Sequence, residues 1–447
     1  MLSLGQGLGR IATICEGITI NMTLKKNLVK GAAVVTAVGS IAALGLVGGT
    51  AQADPQFPTA FVGVGSDTTQ DVLNALSGYA PAPGLSAADS RYEPAIASNG
   101  QQLLSFNALN PDPAGDTCMT AKLGGPAFDR PNGSTNGREA LSRAIDLTGW
   151  GTAACGGIAD LDGQLDFART SSGPAANDPG TQLTYSVLGR DAVSLGFYRN
   201  GVAGNTINPA TSNSNLVKTR WTRAELTSLF SNATGAAQPF LADNGTTSIN
   251  VLACGIQIGS GTYSFTRGVY NVNAGQENTA VATCGNTAAT RLQENDSTGL
   301  KAKGDANPTV QVVVGFSAGA FVGKSNGVAS PNPQTDGVGL AVITNDGAGN
   351  NIGVAFTGAA PNLVPAPTFY NNPTFGRTVY NVVPTSKIDA AFGNEGLKNM
   401  FKDPDGAGAG LAAICQESAT IQQFGFLVSS TCGNTALKGS LIAGQSN

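Results

Sequence analysis

Phe61-Val-Gly-Val-Gly-Ser-Asp-Thr-Thr-Gln-Asp-Val-Leu-Asn-Ala-Leu76 reads as a buried strand that runs through a glycine turn into a helix. Strand, turn and helix in immediate succession are the unit from which α/β folds are built. The turn itself has two readings. Asp67, with Gln70 three residues on, makes a plausible helix-capping pair. Alternatively Ser66, Asp67 and Thr68 line a place where something binds, since a helix start offers unpaired N–H groups.

The alternation continues along the chain. Short strand-like runs are expected at Phe61 to Val64, Gln164 to Ala168, Ala192 to Tyr198, Ile249 to Leu252, Val310 to Phe316, Gly339 to Thr344 and Thr378 to Val383. Helical patterns are expected at Thr68 to Leu76, Gly137 to Ala144, Thr222 to Phe230, Tyr263 to Tyr270, Lys387 to Phe392 and Ala419 to Phe426. Thr222 is a good N-cap with Glu225 as its capping-box partner, and Leu226, Leu229 and Phe230 give that helix an apolar face. Ala80 to Ser90, Asn200 to Asn215 and Ser325 to Asp336 read as loops, and no repeat period is present. The fold class is therefore α/β, and 447 residues suffice for more than one lobe.

Composition limits the chemistry. The chain has no histidine, which excludes Ser-His-Asp and Cys-His catalysis. Charged residues are only 12% and glycine reaches 60, a neutral, loop-rich profile that suits a secreted protein. Lys25, Lys26 and Lys30 precede an apolar, small-residue run from Gly31 to Gly49, followed by Ala51-Gln52-Ala53. That is the pattern of a cleaved secretory signal, expected to end after Ala53, and Met22 begins a more ordinary signal than Met1 does. The run is short and glycine-rich for a membrane span, and no cysteine follows it that could carry lipid.

Residues 1 to 53 hold four basic residues (Arg10, Lys25, Lys26, Lys30) and one acidic residue (Glu16), so their removal takes the net charge from −4 to −7. Nucleic acid and anionic membrane are poor partners for such a chain. Six cysteines remain after Cys15 is lost with the leader. They fall into three local couples, so the expected disulfides are Cys118–Cys155, Cys254–Cys284 and Cys415–Cys432.

Two motifs mislead. Gly315-Phe-Ser-Ala-Gly319 matches the nucleophile elbow of serine hydrolases after an apolar strand, but no histidine exists to take a proton from Ser317. Gly323-Lys324-Ser325 matches the end of a phosphate-binding loop, but the glycine required earlier is Ala318.

More informative are three hydroxyl-and-glycine turns, each at an apparent helix start: Gly63 to Thr69, Arg130 to Gly137, and Ile258 to Phe265. Converging helix N-termini hold an oxyanion with little formal positive charge, although N-capping explains any one of them singly. A fourth segment, Leu165-Asp-Phe-Ala-Arg-Thr-Ser-Ser-Gly-Pro174, places Arg169 and three hydroxyls at the end of a strand. An arginine there either clamps an oxyanion or forms a surface ion pair.

In this order, the four segments resemble the phosphate-binding proteins of ABC phosphate uptake systems, type II periplasmic-type substrate-binding proteins. Trp221 to Phe230 resembles a helix of that family, and Arg377-Thr-Val-Tyr-Asn-Val-Val383 resembles its late strand. The resemblance implies a two-lobed fold of mixed sheets flanked by helices, with the ligand cleft between lobes. One lobe would comprise 54–183 plus 310–447, and the other 184–309. It implies ligand donors at Ser66, Asp67, Thr68, Ser134, Thr135, Ser171, Ser260, Gly261 and Thr262, with Arg169 supplying charge.

Two departures stand out. The family carries an aspartate where this chain has Ser171, and an arginine where it has Ile256. Asp67 is the candidate to replace the missing acceptor. The implied function is an exported, monomeric, non-catalytic binding protein, secreted or held at the cell surface. It would take inorganic phosphate or a similar oxyanion, work with an ABC permease, and need no cofactor or metal. The alternatives are a secreted surface or structural protein with a degenerate site, and a hydrolase using Ser317 or a carboxylate pair.

Overall fold

The computed structural model describes residues 60–78, 97–98, 100–109, 117–285, 291–391, 393–404 and 411–444. The signal segment, Cys15 and the loop from Ala80 to Ser90 lie outside the described residues. No helix among the described residues is long and apolar enough to cross a membrane.

The fold is α/β, built on a 12-stranded mixed sheet flanked by helices. Near one edge, β1 (Phe61–Gly65) pairs in parallel with β2 (Gln101–Ser105) on one side and β3 (Phe167–Thr170) on the other. The long strand β4 (Leu183–Tyr198) is next in the chain, followed by β5 (Gln238–Leu241), β6 (Ser248–Ala253), β7 (Gln311–Ser317) and β8 (Gly376–Pro384). β8 runs antiparallel between β3 and the first half of β4, while β7 pairs antiparallel with the second half of β4. β6 lies parallel to β7 and closes on β5.

Residue alternation explains how the first part of the sheet is covered. Along β1, Phe61 points to one core and Val62 to another; Leu103 and Leu104, Phe167 and Ala168, and Val383 and Val382 divide in the same way. Strands buried on both faces need apolar residues at successive positions, which is how Phe61 to Val64 reads.

One face is covered by α1 (Gln70–Leu76), through Val72, Leu73 and Leu76, together with Leu397, Met400, Phe401, Ile414, Ile421 and Phe426. The opposite face is covered by α2 (Gly133–Asp146), through Ala140 and Leu141, with Trp150. A third core gathers the second half of β4 and strands β6 and β7. Its helices are α3 (Arg223–Phe230), α4 (Gly261–Tyr270), α5 (Ser297–Asp305) and α6 (Ala318–Ser325). Val312, Phe316, Phe321, Ile343, Phe369 and Phe375 belong to this third core.

Local chemistry is as expected at α3, where Thr222 accepts from Glu225 N and the Glu225 carboxylate accepts from Thr222 N. The three disulfides join Cys118 to Cys155, Cys254 to Cys284 and Cys415 to Cys432. β4 extends nine residues upstream of the expected Ala192, because Thr184, Ser186 and Gly189 interrupt its apolar pattern while the strand remains buried between β8 and two short C-terminal strands.

Candidate functional site

The turn after β1 is held from below. Gly65, at φ +112°, lets the chain reverse where an added Cβ would lie 2.7 Å from the Arg169 carbonyl. α2 packs directly on it, with a Cβ on Gly137 falling 2.5 Å from Gly65 Cα. Arg169 stands opposite Gly65 in the β1–β3 register, and its fully buried guanidinium donates to the carbonyls of Ser66 (3.0 Å), Gly65 (3.0 Å) and Gly63 (3.4 Å) and to Ser105 Oγ (2.7 Å). Burial brings its pKa down to about 9, against the pull of Asp67 and Asp71. Arg169 therefore fixes the shape of the turn, with its donors directed at backbone oxygens and Ser105 Oγ beneath the site.

Above the turn, the other expected segments come together across large separations in sequence. Ser134 and Ser171 hydroxyls are 3.2 Å apart, and Ser134 Oγ also accepts from Ser171 N at 3.0 Å. Gly261 sits over this pair so closely that a Cβ would lie 2.6 Å from Ser134 Oγ and 2.7 Å from Ser171 Oγ. Thr135 N donates to the Gly259 carbonyl at 3.1 Å, which joins the start of α2 to the turn before α4. Thr68 Oγ1 meets Thr262 Oγ1 at 3.2 Å. Ser260 caps α4 through Thr262 N. Ser66, Asp67, Thr68, Ser134, Ser171, Ser260 and Thr262 are all buried.

Glu294, absent from the expected set, is at the centre. Its Oε1 accepts from Thr68 Oγ1 (2.8 Å), Ser260 Oγ (2.6 Å) and Thr262 Oγ1 (2.7 Å). Asp67 lies beside it. Its carboxyl does not cap α1: the N-cap position is Thr69, Gln70 Oε1 accepts from Ala108 N instead, and the Asp67 carboxyl is hydrogen-bonded to that of Glu294. Burial first, then the neighbouring Glu294, raises the Asp67 pKa well above the ordinary carboxylate range, against the pull of Lys324. The capping reading of Asp67 is thus corrected: the side chain turns inward to Glu294 and away from its own helix.

Cations surround this pair. Arg377 Nη2 reaches Thr68 Oγ1 at 3.4 Å and holds Asp191 with Nη2 (2.7 Å) and Nε (3.1 Å); Arg377 and Asp191 face each other across β8 and β4. Its guanidinium also lies 5.3 Å from the Phe265 ring centre on α4. Lys324 donates to the Asn295 carbonyl (2.7 Å) and stands 3.7 Å from Asp71. Ser317 is no exposed nucleophile: it is fully buried, donates to Asp191 and caps α6 through Ala320 N. Ile256 is buried, with its carbonyl accepting from Arg291.

Among solved structures, the chain is similar to an ABC-type phosphate transport receptor from Vibrio cholerae, with 13% identity over 83% of this chain and 100% of that one and a TM-score of 0.41. It is also similar to a phosphate binding protein from Stenotrophomonas maltophilia (12% identity, 73% of this chain, 79% of that one, TM-score 0.34) and to PstS from Borrelia burgdorferi (12%, 73%, 87%, 0.33). No protein-family model matches the sequence, and no curated protein is similar to it.

Proposed function

We propose that the chain is an exported, non-catalytic solute-binding protein that takes an oxyanion, inorganic phosphate foremost, between two lobes and delivers it to an ABC permease. The observation that carries this reading is the meeting, in one buried cluster, of Thr68, Ser134, Ser171 and the Ser260-Gly261-Thr262 turn at the start of α4. Small hydroxyls and helix-start N–H groups brought together from segments so far apart in sequence are suited to an oxyanion that is held by hydrogen bonds. Arg377 and Lys324 lend positive charge at the edge of the cluster.

Phosphate is favoured over sulfate through Asp67. Once ionised, its carboxylate beside Glu294 can accept hydrogen from a protonated oxyanion, which sulfate is not at neutral pH. Asp67 in this role replaces the acid missing at Ser171.

A second reading, a surface protein whose site no longer binds tightly, draws on the donation of three of these hydroxyls to Glu294. Calorimetric titration of the purified chain with phosphate, sulfate and arsenate separates the two. Heat with phosphate and arsenate that is lost in Thr262→Asp supports oxyanion binding, whereas no heat with any of the three leaves the second reading.

A further inference from the structure

We propose that Glu294 is a built-in competitor for the anion, a carboxylate that occupies the site's hydroxyl donors and sets its affinity from within. The inference rests on the oxyanion reading above and adds a regulatory element to the same site. Thr68, Ser260 and Thr262 come from two separate elements, the turn after β1 and the start of α4, yet all three hydroxyls converge on one oxygen, Glu294 Oε1, at 2.6 to 2.8 Å. Those are well-formed O–H···O hydrogen bonds. Each hydroxyl has a single hydrogen to give. The same three groups therefore cannot donate to Glu294 and to a bound anion at once.

The backbone around Glu294 is fastened on several sides. Ser317 N donates to the Glu294 carbonyl at 3.0 Å, Asn295 Nδ2 donates to the Asp67 carbonyl at 3.0 Å, Lys324 donates to the Asn295 carbonyl, and Leu292 bridges to Ile256. Exchange of carboxylate for anion is therefore a rotation of the Glu294 side chain and not a movement of its segment.

The charged groups around it come from every neighbouring element. Asp67 approaches from the β1 turn and Lys324 from α6; Asp71 pairs with Lys324 from α1; Arg377 of β8 reaches Thr68 and is itself paired with Asp191 of β4. With Glu294 carrying its charge beside Asp67, an entering anion would meet a like charge. Removing the Glu294 charge frees three donors and lifts one repulsion.

The test is calorimetric titration of Glu294→Ala and Glu294→Gln with inorganic phosphate near pH 7.5, beside the wild-type chain, with circular dichroism to establish that each variant is folded. Glu294→Gln keeps the size of the side chain and decides the matter if Glu294→Ala does not fold. The expected result is phosphate binding at least about tenfold tighter in Glu294→Ala, with Glu294→Gln intermediate. Equal or weaker binding in the folded variants, with the wild type binding, overturns the competitor role while leaving the oxyanion reading intact. No heat with phosphate in the wild type or either variant overturns both.

Discussion

Asp67→Asn offers the sharpest test of the buried acid pair. In the wild type the Asp67 pKa is raised by burial and by Glu294, so the folded state holds a proton that the unfolded chain releases in the ordinary aspartate range. Between those two pKa values the folded state binds more protons than the unfolded one, and stability must fall as pH rises. The contribution is complete below the unfolded pKa and is lost as pH climbs through the folded one. What is lost is set by the carboxyl itself, which is buried and has no hydrogen-bond partner among the described residues once it ionises. A buried polar group left in that state costs about 1–3 kcal/mol, and more when charged. Asparagine is nearly isosteric and carries an N–H donor that can face Glu294 at any pH. Asp67→Asn should therefore be more stable than wild type by about 2 kcal/mol at pH 8, a change of about thirtyfold in the folded to unfolded ratio, with the gap closing near pH 4. Urea unfolding at both pH values, with disulfides intact, measures it. A variant less stable than wild type at pH 8, or a gap that does not shrink in acid, would refute the account of a proton shared between Asp67 and Glu294.

Two further substitutions probe the surroundings of the site. Asp191→Asn leaves the buried Arg377 without its counter-charge and should cost about 3–5 kcal/mol in urea unfolding; a loss under about 1 kcal/mol would mean that Arg377 finds another partner. Ser317→Ala removes the cap of α6 and the Ser317 Oγ bond to Asp191, so stability should fall by about 1–3 kcal/mol while phosphate binding by calorimetry is unchanged. Any turnover of an ester or phosphoester by the wild type that vanishes in this variant would restore the hydrolase reading.

The fold was legible where strands are buried on both faces. Phe61 to Val64, Ile249 to Leu252 and Val310 to Phe316 are mostly apolar runs, broken at Asn250 and Gln311, and the strands found there agree within about two residues, the usual uncertainty of an element end. β4 was half seen, since Thr184, Ser186 and Gly189 carry no apolar signal although the strand around them is buried. α6 was hidden by its own composition: Ala318-Gly-Ala-Phe-Val-Gly323 reads as a motif tail, and only packing against β7 and β4 makes a helix of it. Gly323 also packs on the Phe424 backbone, where an added Cβ would lie 2.8 Å from its carbonyl oxygen. That contact links residues about a hundred apart and leaves no trace in local pattern.

The site divides along the same line. Hydroxyl and glycine turns announce themselves, because Ser, Thr and Gly at helix starts are a local signature, and the turns expected to meet do meet. The charges that govern them do not. Arg169 shows this, because an arginine at a strand end is ambiguous until its register is known; opposite Gly65, it reaches the underside of the turn. Glu294 sits in Arg291-Leu-Gln-Glu-Asn-Asp296, a polar stretch with no periodicity, and nothing there distinguishes it from the solvent-facing acids common in any loop. Its role is a property of position alone: the bridge from Leu292 to Ile256 and the bond from Ser317 N place its side chain between Thr68 and Thr262. A sequence can show which donors a site owns, but the acceptor that claims them before any ligand arrives is chosen by tertiary contacts.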